Sequence, residues 1–435
     1  MSTNADLDLL RRRDDAFGSG AALFYEEPVH FVRGEGASLI DGSGRRYVDM
    51  YNNVPCVGHC NRRVADAVAR QQATLNVHSR YLHEGAITLA ERLAGLHGPQ
   101  IESVLFSCSG TEAIEASLRM ARFATGRRGV ICTNATYHGN SDLVSQLTRV
   151  GKTNPETDEI RAIPFPETYR PIVDSEDEAE ICEAYLAKVK AAIQHLEESG
   201  AGLAAFIVCS IFANEGLPNI PAGFMGRAEA LVRAAGGLII SDEVQAGYGR
   251  TGSWWGYQVT GFTPDIVVTG KPMANGVPLA ATAASRTLMD GFRARTRYFN
   301  TYAASPLQAA AGLAVLDEIE SQALLKHVSA VGLWLKQALQ ESARRWDALG
   351  DVRGHGLFLG VEVVKPGAAK TPDVELAVKL VNRLKDKGFL TNNAGVFNNM
   401  LKLRPPLVLS QDEAESFVGA FDATIAELKD ELVSS

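Results

Sequence analysis

Three polar features follow short apolar runs in the middle of the chain. Ser109, Gly110 and Thr111 come at the end of the run SVLFSC, Asp242 follows GLIIS, and Lys271 follows DIVVT. A lysine at the end of a buried strand loses hydration, which lowers its pKa and lets the neutral amine attack a carbonyl carbon. The alternative is a surface lysine whose ammonium reaches water. The apolar runs on both sides of Lys271 favour the nucleophile.

Asp242 and Glu243 come directly after four apolar residues and a serine, so at least one carboxylate ends a buried strand. A buried carboxylate is costly unless a cation or strong donors pair with it. A protonated aromatic nitrogen is one suitable partner, and a structural ion pair with Arg250 is the alternative. The later segment GYGRTGS lacks the spacing of a phosphate-binding P-loop, so we interpret it as a shaped turn.

The run SGTEAIEASLRMAR places Ser109, Gly110 and Thr111 directly before a predicted helix. The free N–H groups and the dipole of a helix N-terminus form a site for a phosphate. The alternative is an ordinary Ser/Thr cap, with Glu112 favourable in the first turn. Taken alone, this motif favours the cap.

The elements around these motifs indicate an α/β fold. Short, fully apolar runs alternate with stretches of helical periodicity, as a mostly parallel sheet with helices on both faces requires. Ligands of such sheets lie beyond the carboxyl ends of the strands, where the three motifs converge. The predicted strands are SVLFSC, GVICTN, LAAFIVCS, GLIISDEV, DIVVTG and LAATAAS.

The predicted domain organisation is a large sheet domain and a smaller α+β domain. We assign residues 71–319 to the large domain, and residues 1–70 and 320–435 together to the small one. The opening 25 residues are polar and are expected to be helical or loosely attached. Residues 28–50 predict a small antiparallel unit, and residues 306–345 predict a long helical segment.

Composition excludes several classes of protein. The chain has 435 residues, 46% hydrophobic and 22% charged, with a net charge of −8. An acidic chain of this kind is not expected to bind nucleic acid or an anionic membrane. The N-terminus lacks the apolar centre of a signal peptide and no apolar run is long enough to span a bilayer, so a cytoplasmic location is expected.

The six cysteines are scattered, which is typical of reduced thiols rather than a disulfide framework. Only the run CVGHC brings Cys56, His59 and Cys60 together. Zinc sites usually need a second such cluster, and none follows, so no metal is expected. No GxSxG elbow and no HExxH helix competes with the lysine motif.

Five ordered motifs resemble the class III (omega) aminotransferases, which are pyridoxal-phosphate enzymes with the fold of aspartate aminotransferase (PLP fold type I). The motifs are SGTEAIEASLRMAR, TYHGN, SDEVQAGYGRTG, TGKPMANG and FNTYAASPLQAAAGLAVLD, and the resemblance runs from about residue 28 to about residue 425. It implies pyridoxal 5′-phosphate as the cofactor. It also implies ten cofactor-binding residues: Ser109, Gly110, Thr111, Tyr137, His138, Gly139, Asp242, Gln245, Lys271 and Thr301.

The resemblance gives these residues separate roles. Lys271 would form the Schiff base and later carry a proton, and Asp242 would keep the ring nitrogen protonated. Gln245 would contact the 3-hydroxyl group, and Tyr137 would stack on the ring, with His138 and Gly139 shaping its turn. Gly110 and Thr111 would bind the phosphate. Thr301 would reach the phosphate of a second subunit, which implies a homodimer with shared active sites.

Departures from the family pattern concern the substrate. Cys209 and Ser210 replace a frequent Glu-Pro pair, and Asn214, beside Glu215, replaces a glutamate that often gates an arginine. That arginine usually stands three residues before the first proline of a PP pair, where this chain has Lys402. The usual carboxylate clamp is therefore either absent or supplied by Arg404. The alternative is that Lys402 and Arg404 line a solvated strand edge.

The N-terminal run YNNVPCVGHCNRRVADAVARQQATLNVHSRYLHE resembles the subgroup that includes ethanolamine-phosphate phospho-lyases, which often carry lysine near the PP pair. Asn53 in this run is a candidate substrate contact, together with Lys402 and Arg404. Asn61-Arg62 stands where His-Pro is usual, and Ala303-Ala304-Ser305 where Gly-Gly-Asn is usual. Arg62, Arg63 and Arg80 could suit an anionic group, although helix arginines are more often solvated.

The expected activity is transfer of an amino group from a primary amine or amino acid to a 2-oxo acid. The alternative is a lyase that uses the same cofactor to eliminate phosphate or ammonia from a small amino compound. A third possibility is a binding protein that retains the fold without the cofactor, against which the joint presence of Lys271, Asp242 and Tyr137 argues.

Overall fold

The computed structural model describes residues 4–149, 157–368 and 370–434, so residues 1–3 of the predicted N-terminal segment lie outside the described residues. The strands, in chain order, are β1 (Phe31–Glu35), β2 (Ser38–Asp41), β3 (Arg46–Asp49), β4 (Ser103–Ser107), β5 (Gly129–Thr133), β6 (Ile160–Ile163), β7 (Leu203–Cys209), β8 (Leu238–Asp242), β9 (Ile266–Thr269), β10 (Ala280–Ala284), β11 (Leu349–His355), β12 (Phe358–Val363), β13 (Phe389–Leu390), β14 (Asn392–Ala394) and β15 (Met400–Leu403).

The helices lie between and around these strands. In chain order they are α1 (Asn4–Phe17), α2 (Arg62–Thr74), α3 (Glu84–Gly95), α4 (Gly110–Thr125), α5 (Asp142–Ser145), α6 (Glu178–Glu198), α7 (Phe224–Ala234), α8 (Gly256–Thr260), α9 (Arg286–Arg295), α10 (Pro306–Ser321), α11 (Leu324–Arg345), α12 (Val374–Asp386) and α13 (Gln411–Ser434). Within the described residues, no helix combines the length and the apolar character that crossing a bilayer requires.

The centre of the molecule is a seven-stranded sheet in the order β4-β10-β9-β8-β7-β5-β6. All neighbours run parallel except β10, which is antiparallel to both β4 and β9. The six predicted strands are confirmed as β4, β5, β7, β8, β9 and β10. Sequence reasoning missed β6, whose run IRAI is short and interrupted by an arginine.

Helices cover both faces of this sheet, which confirms the predicted α/β class. Successive strand residues point to opposite faces. Phe206 accordingly packs in the cluster that contains α6 and α7, and Ile207 in the cluster that contains α4 and α9. Because both faces are dry, the strands are apolar without alternation, which is why they were visible in the sequence.

Two smaller sheets involve the terminal segments. The sheet β1-β2-β3-β13 joins strands from both ends of the chain, and β11-β12-β15-β14 is antiparallel. The antiparallel unit predicted for residues 28–50 is confirmed as β1–β3. The boundaries expected at residues 71 and 319 fall inside α2 and α10, and the two-domain division stays a prediction.

The single helical segment predicted for residues 306–345 is wrong in one respect. It consists of α10 and α11, separated at Ala323, whose φ of +49° is left-handed. A left-handed residue cannot continue a right-handed helix. Nothing in the sequence around Ala323, such as glycine or proline, marks this break.

Candidate active site

The turn after β9 holds Lys271 at the carboxyl end of the central sheet. The N-terminal segment fastens this turn from the outside: the Cys56 thiol donates to the Pro272 carbonyl at 3.0 Å. The Asn275 carboxamide accepts from the Val57 N–H at 3.1 Å and donates to the Gly58 carbonyl at 2.9 Å. Residues distant in sequence therefore immobilise the loop on which the lysine stands.

The Lys271 side chain faces open space on one side and protein on the others. Loss of hydration by burial lowers its pKa, and the negative charge of Asp242 opposes that shift. The amine therefore becomes neutral more readily than an ordinary lysine. A lysine must be neutral to attack a carbonyl carbon, so the lowered pKa of Lys271 suits a nucleophile.

Asp242 ends β8 and is buried, as predicted. Its Oδ2 atom lies 2.7 Å from Nδ1 of His138, and its Oδ1 atom accepts from the Val244 N–H at 3.0 Å. The other ring nitrogen of His138 lies 3.0 Å from the Thr136 hydroxyl. The carboxylate is thereby held in one orientation, with an imidazole as its neighbour.

The proposed ion pair between this acidic pair and Arg250 is wrong. Arg250 donates to the carbonyls of Leu357 and Pro405, which lie closer to its side chain than either carboxylate does. Glu243 turns away from Asp242 and accepts the N–H groups of Gly256 and Tyr257 at 2.8 and 2.9 Å. Burial raises the pKa of Glu243, and its role is to hold the start of α8.

The N-terminus of α4 meets the lysine turn. Ser109 is the N-cap, and its hydroxyl accepts from the Glu112 N–H at 3.2 Å, so the capping interpretation of this motif is confirmed. Gly110 opens the helix so close to the lysine turn that a Cβ on Gly270 would lie 3.5 Å from the Gly110 Cα. The first N–H groups of an α-helix have no carbonyl of their own helix to bond, so an anion can occupy the same end.

Gly139 borders this helix start and requires glycine for two reasons. Its φ of +143° is unfavourable for L-residues, and a Cβ would lie 2.5 Å from the Thr111 hydroxyl oxygen. We expect Gly139→Ala to push Thr111 out of place and weaken binding of a phosphate at α4 by about 10- to 100-fold, since one lost charge-assisted hydrogen bond is worth about 1.5–3 kcal/mol. Titration with pyridoxal phosphate measures this. Gly126→Ala at the other end of α4, where a Cβ meets nothing within 4 Å, is the control, and equal weakening in both would contradict the placement.

Tyr137 and Gln245 lie on either side of Asn214. Tyr137 is 40% exposed, with its ring open for stacking. The Asn214 carboxamide donates to the Tyr137 carbonyl at 3.4 Å and accepts from the Gln245 carboxamide at 3.2 Å. Asn214, which replaces the expected glutamate, thus connects two predicted cofactor contacts, a function that its position in the sequence did not indicate.

Lys402 and Arg404 are not on a solvated edge, so that alternative is wrong. Lys402 is 2% exposed, and its ammonium donates to the Ala213 carbonyl at 2.7 Å and lies 3.4 Å from Oε1 of Gln245. Arg404 donates to the same Oε1 atom and, at 2.8 Å, to the Tyr51 carbonyl. Burial lowers the pKa of both groups, that of Lys402 strongly. Lys402, in β15, and Arg404, just after it, both reach the amide oxygen of Gln245.

Glu215 lies near enough to Lys402 for their charges to interact, but its hydrogen bonds go to other residues. It is buried and accepts from the Thr133 hydroxyl and, at 3.1 Å, from the Asn214 N–H. Burial raises the pKa of this carboxyl, so a smaller share of it is charged. Asn53 is also buried, with a side-chain nitrogen for which no protein acceptor lies in reach among the described residues. Substrate contact by Asn53, Lys402 and Arg404 stays a prediction.

Two departures from the family pattern are helix caps. Asn61 accepts from the Val64 N–H at the start of α2, and Ser305 accepts from the Gln308 N–H at the start of α10. Their identity is therefore accounted for by capping rather than by substrate. Thr301, just before α10, is exposed on the surface of the single chain.

Arg62 and Arg63, at the start of α2, and Arg80, in the turn before α3, all make contacts at the protein surface. Arg62 pairs with Asp66 at 3.0 Å, Arg63 with Glu318 at 2.8 Å, and the Arg80 guanidinium lies 4.0 Å from the centre of the Phe299 ring. We therefore assign none of these arginines to an anionic ligand.

In the run CVGHC the side chains make separate contacts. The Cys56 thiol holds the lysine turn, and the His59 ring lies 2.8 Å from Asp49. Cys60 is exposed with a free thiol. Within the described residues, no group of histidine, cysteine and acidic side chains is placed to hold a metal ion.

Known proteins resemble this chain along most of its length. The family described as "Aminotransferase class-III" matches residues 24–425. An "Alanine--glyoxylate aminotransferase 2-like" protein of Drosophila melanogaster is 32% identical over 98% of this chain and 89% of its own length. An "Ethanolamine-phosphate phospho-lyase homolog 1" of Caenorhabditis elegans is 32% identical over 96% of this chain and 93% of its own. A phospholyase from Arthrobacter, solved in complex with phosphoethanolamine, is 38% identical with a TM-score of 0.93, covering 96% of this chain and 99% of that one.

Proposed function

The chain belongs to the class-III aminotransferase family of pyridoxal 5′-phosphate enzymes with PLP fold type I, and we propose that its site binds this cofactor through the residues predicted above. The observation that supports this most directly is the convergence of Lys271, Asp242 and the start of α4 at one edge of the central sheet. In this interpretation the activity is that of the family: transfer of an amino group from a primary amine or amino acid to a 2-oxo acid.

The residues present fit the chemistry of the cofactor. An aldehyde needs a neutral amine, which Lys271 supplies. A ring nitrogen that must stay protonated needs a fixed, buried carboxylate, which Asp242 supplies beside His138. A phosphate needs free N–H groups at a helix start, which Gly110 and Thr111 of α4 supply. When bound, the cofactor supplies an electron sink for the substrate carbon that loses its proton.

The protein's own contribution is to hold and move protons. Lys271 would take the proton from the substrate carbon on its neutral ε-amine, and the resulting ammonium would later give that proton back to carbon. Its lowered pKa allows it to accept that proton as a neutral amine and give it back. The bonds that Cys56, Val57 and Gly58 make to the lysine turn would keep the base at a constant distance from the reacting carbon.

A lyase activity is the second candidate, and Lys402 is the observation that favours it. The position where many relatives carry an arginine holds a buried lysine that already donates to Ala213. A point charge so placed offers no bidentate fork for an α-carboxylate. A small amine without that carboxylate, with phosphate or ammonia as leaving group, then fits this site. The Arthrobacter relative was solved with such a compound, phosphoethanolamine.

One incubation separates the two activities. We expect the purified protein, loaded with pyridoxal phosphate and given an amine donor, to need a 2-oxo acid for more than one turnover, because transfer leaves the amino group on the cofactor. The measurement is product per active site with and without pyruvate, across amino acids, primary amines and phosphoethanolamine. Many turnovers of phosphate or ammonia release without any 2-oxo acid would establish the lyase instead.

We also propose a homodimer in which Thr301 of one subunit reaches the phosphate site of the other. Support comes from the apolar surface around Thr301: Leu82 is 95% and Tyr302 is 74% exposed in the single chain. A cavity of about 460 Å³ lined by Tyr81, Phe299 and neighbouring residues lies beside them. Exposed apolar patches of this kind mark protein interfaces. A cytoplasmic location stays part of the proposal.

A further inference from the structure

We propose that Lys402 is a positioning residue: together with Arg404 it fixes the orientation of the Gln245 carboxamide, so that the amide nitrogen, not the oxygen, faces the cofactor. This inference rests on the proposed cofactor site and gives Lys402 a role other than substrate binding. The contacts that carry it are those of Gln245, Asn214 and Ala213, none of which involves a substrate.

The two cations determine which end of the Gln245 side chain faces them. A guanidinium and an ammonium only donate hydrogen bonds, so the atom they share must be the amide oxygen. Arg404 Nη1 and Lys402 Nζ both approach Oε1 of Gln245. The flipped amide would place its own N–H groups against two donors. The orientation of Gln245 is therefore set by charge and not by the turn on which it stands.

The orientation of the Gln245 amide determines which group donates and which accepts in the hydrogen bonds from Gln245 through Asn214 to Tyr137. With its oxygen held, Gln245 directs its nitrogen to the Asn214 oxygen at 3.2 Å, and Asn214 in turn donates to the Tyr137 carbonyl at 3.4 Å. One N–H of Gln245 serves Asn214, and the second is left for the 3-hydroxyl oxygen of the cofactor. Reversal of the Gln245 amide would require Asn214 to turn as well, and Asn214 would then lose its bond to the Tyr137 carbonyl, which can only accept.

Lys402 also connects Gln245 to the loop that carries Asn214. Its ammonium donates at 2.7 Å to the carbonyl of Ala213, the residue before Asn214, while approaching Gln245 from the other side. The side chain is 2% exposed and its ammonium lies 5.4 Å from the centre of the Phe358 ring. Arg404, by contrast, donates to the backbone carbonyl of Tyr51, shortly after β3. Lys402 is thus the cation that connects the Ala213–Asn214 loop to Gln245.

The bound cofactor's visible absorption band reports this positioning. A donor from Gln245 stabilises the deprotonated 3-oxygen, so the pH midpoint of the band change is low while the donor is held. We expect Lys402→Met to raise that midpoint by at most about one pH unit, the value of one hydrogen bond, because Arg404 still donates to the amide oxygen. Lys336→Met is the matched control: Lys336 in α11 also donates to a backbone carbonyl, that of Gly354 at 2.9 Å, and its removal should leave the midpoint unchanged.

A double variant tests whether Lys402 acts through Gln245. In a Gln245→Leu background the donor is already absent, so Lys402→Met should add no further shift. If Lys402→Met fails to fold, Lys402→Gln replaces it, since its amide still donates to the Ala213 carbonyl without bringing a charge to Gln245; the same upward shift is expected.

Failure of the positioning role and failure of the proposed function give different results. An unchanged midpoint in the Lys402 variants, or an equal shift in the Gln245→Leu background, would overturn the positioning role while leaving the cofactor site intact. A protein that develops no visible band with pyridoxal phosphate would instead overturn the proposed function itself.

Discussion

Lys271→Ala is expected to abolish turnover, with a fall of at least about 10⁴-fold, the upper range for a positioned acid–base group. Alanine can neither attach the cofactor aldehyde nor carry the proton, so two functions are lost in one substitution. The fold should persist, because Lys271 is a solvent-exposed residue and its turn keeps the bonds to Cys56, Val57 and Gly58. Steady-state rates, the visible spectrum and borohydride trapping of the cofactor on the protein measure these effects.

The matched control is Lys336→Ala, which removes another lysine whose pKa is lowered by burial, in α11 and away from the three motifs. Borohydride should still fix the cofactor to that variant and not to Lys271→Ala. Substantial turnover or covalent trapping in Lys271→Ala would show that another amine is the nucleophile.

Asp242→Asn is expected to lower kcat by about 10²- to 10⁴-fold. Removing one partner of a buried charge pair costs about 3–5 kcal/mol, and each 1.36 kcal/mol corresponds to a factor of 10 in rate. The neutral amide keeps the shape of Asp242 but no longer holds a proton on the cofactor ring, so the ring withdraws electrons less strongly. Single-turnover kinetics and the spectrum of the bound cofactor separate this loss from a loss of cofactor.

Glu243→Gln provides the comparison for this second experiment. Glu243 is the neighbouring buried carboxylate, but it holds the N–H groups of Gly256 and Tyr257 rather than His138. Its amide variant should lower thermal stability and leave the single-turnover rate of the folded enzyme almost unchanged. Similar rate losses in Asp242→Asn and Glu243→Gln would mean that burial, not contact with the cofactor, explains the effect.

The amino-acid sequence by itself determined the sheet and the order of its motifs. Parallel strands buried on both faces must be apolar throughout, so β7, β8 and β9 could be recognised from local composition. The same argument placed Asp242 and Lys271 at strand ends and the start of α4 beside them. These inferences succeed because each depends on a run of adjacent residues.

Only the tertiary structure decided the partners of the charged side chains. Asp242 contacts His138 across 104 positions of sequence, and Lys402 reaches Ala213 across 189. Sequence reasoning left open two alternatives, an ion pair of Arg250 with the acidic pair and a solvated edge for Lys402, and both were wrong. A buried charge takes whichever acceptor the packed chain brings within about 3 Å, and that distance depends on the whole fold rather than on neighbouring residues.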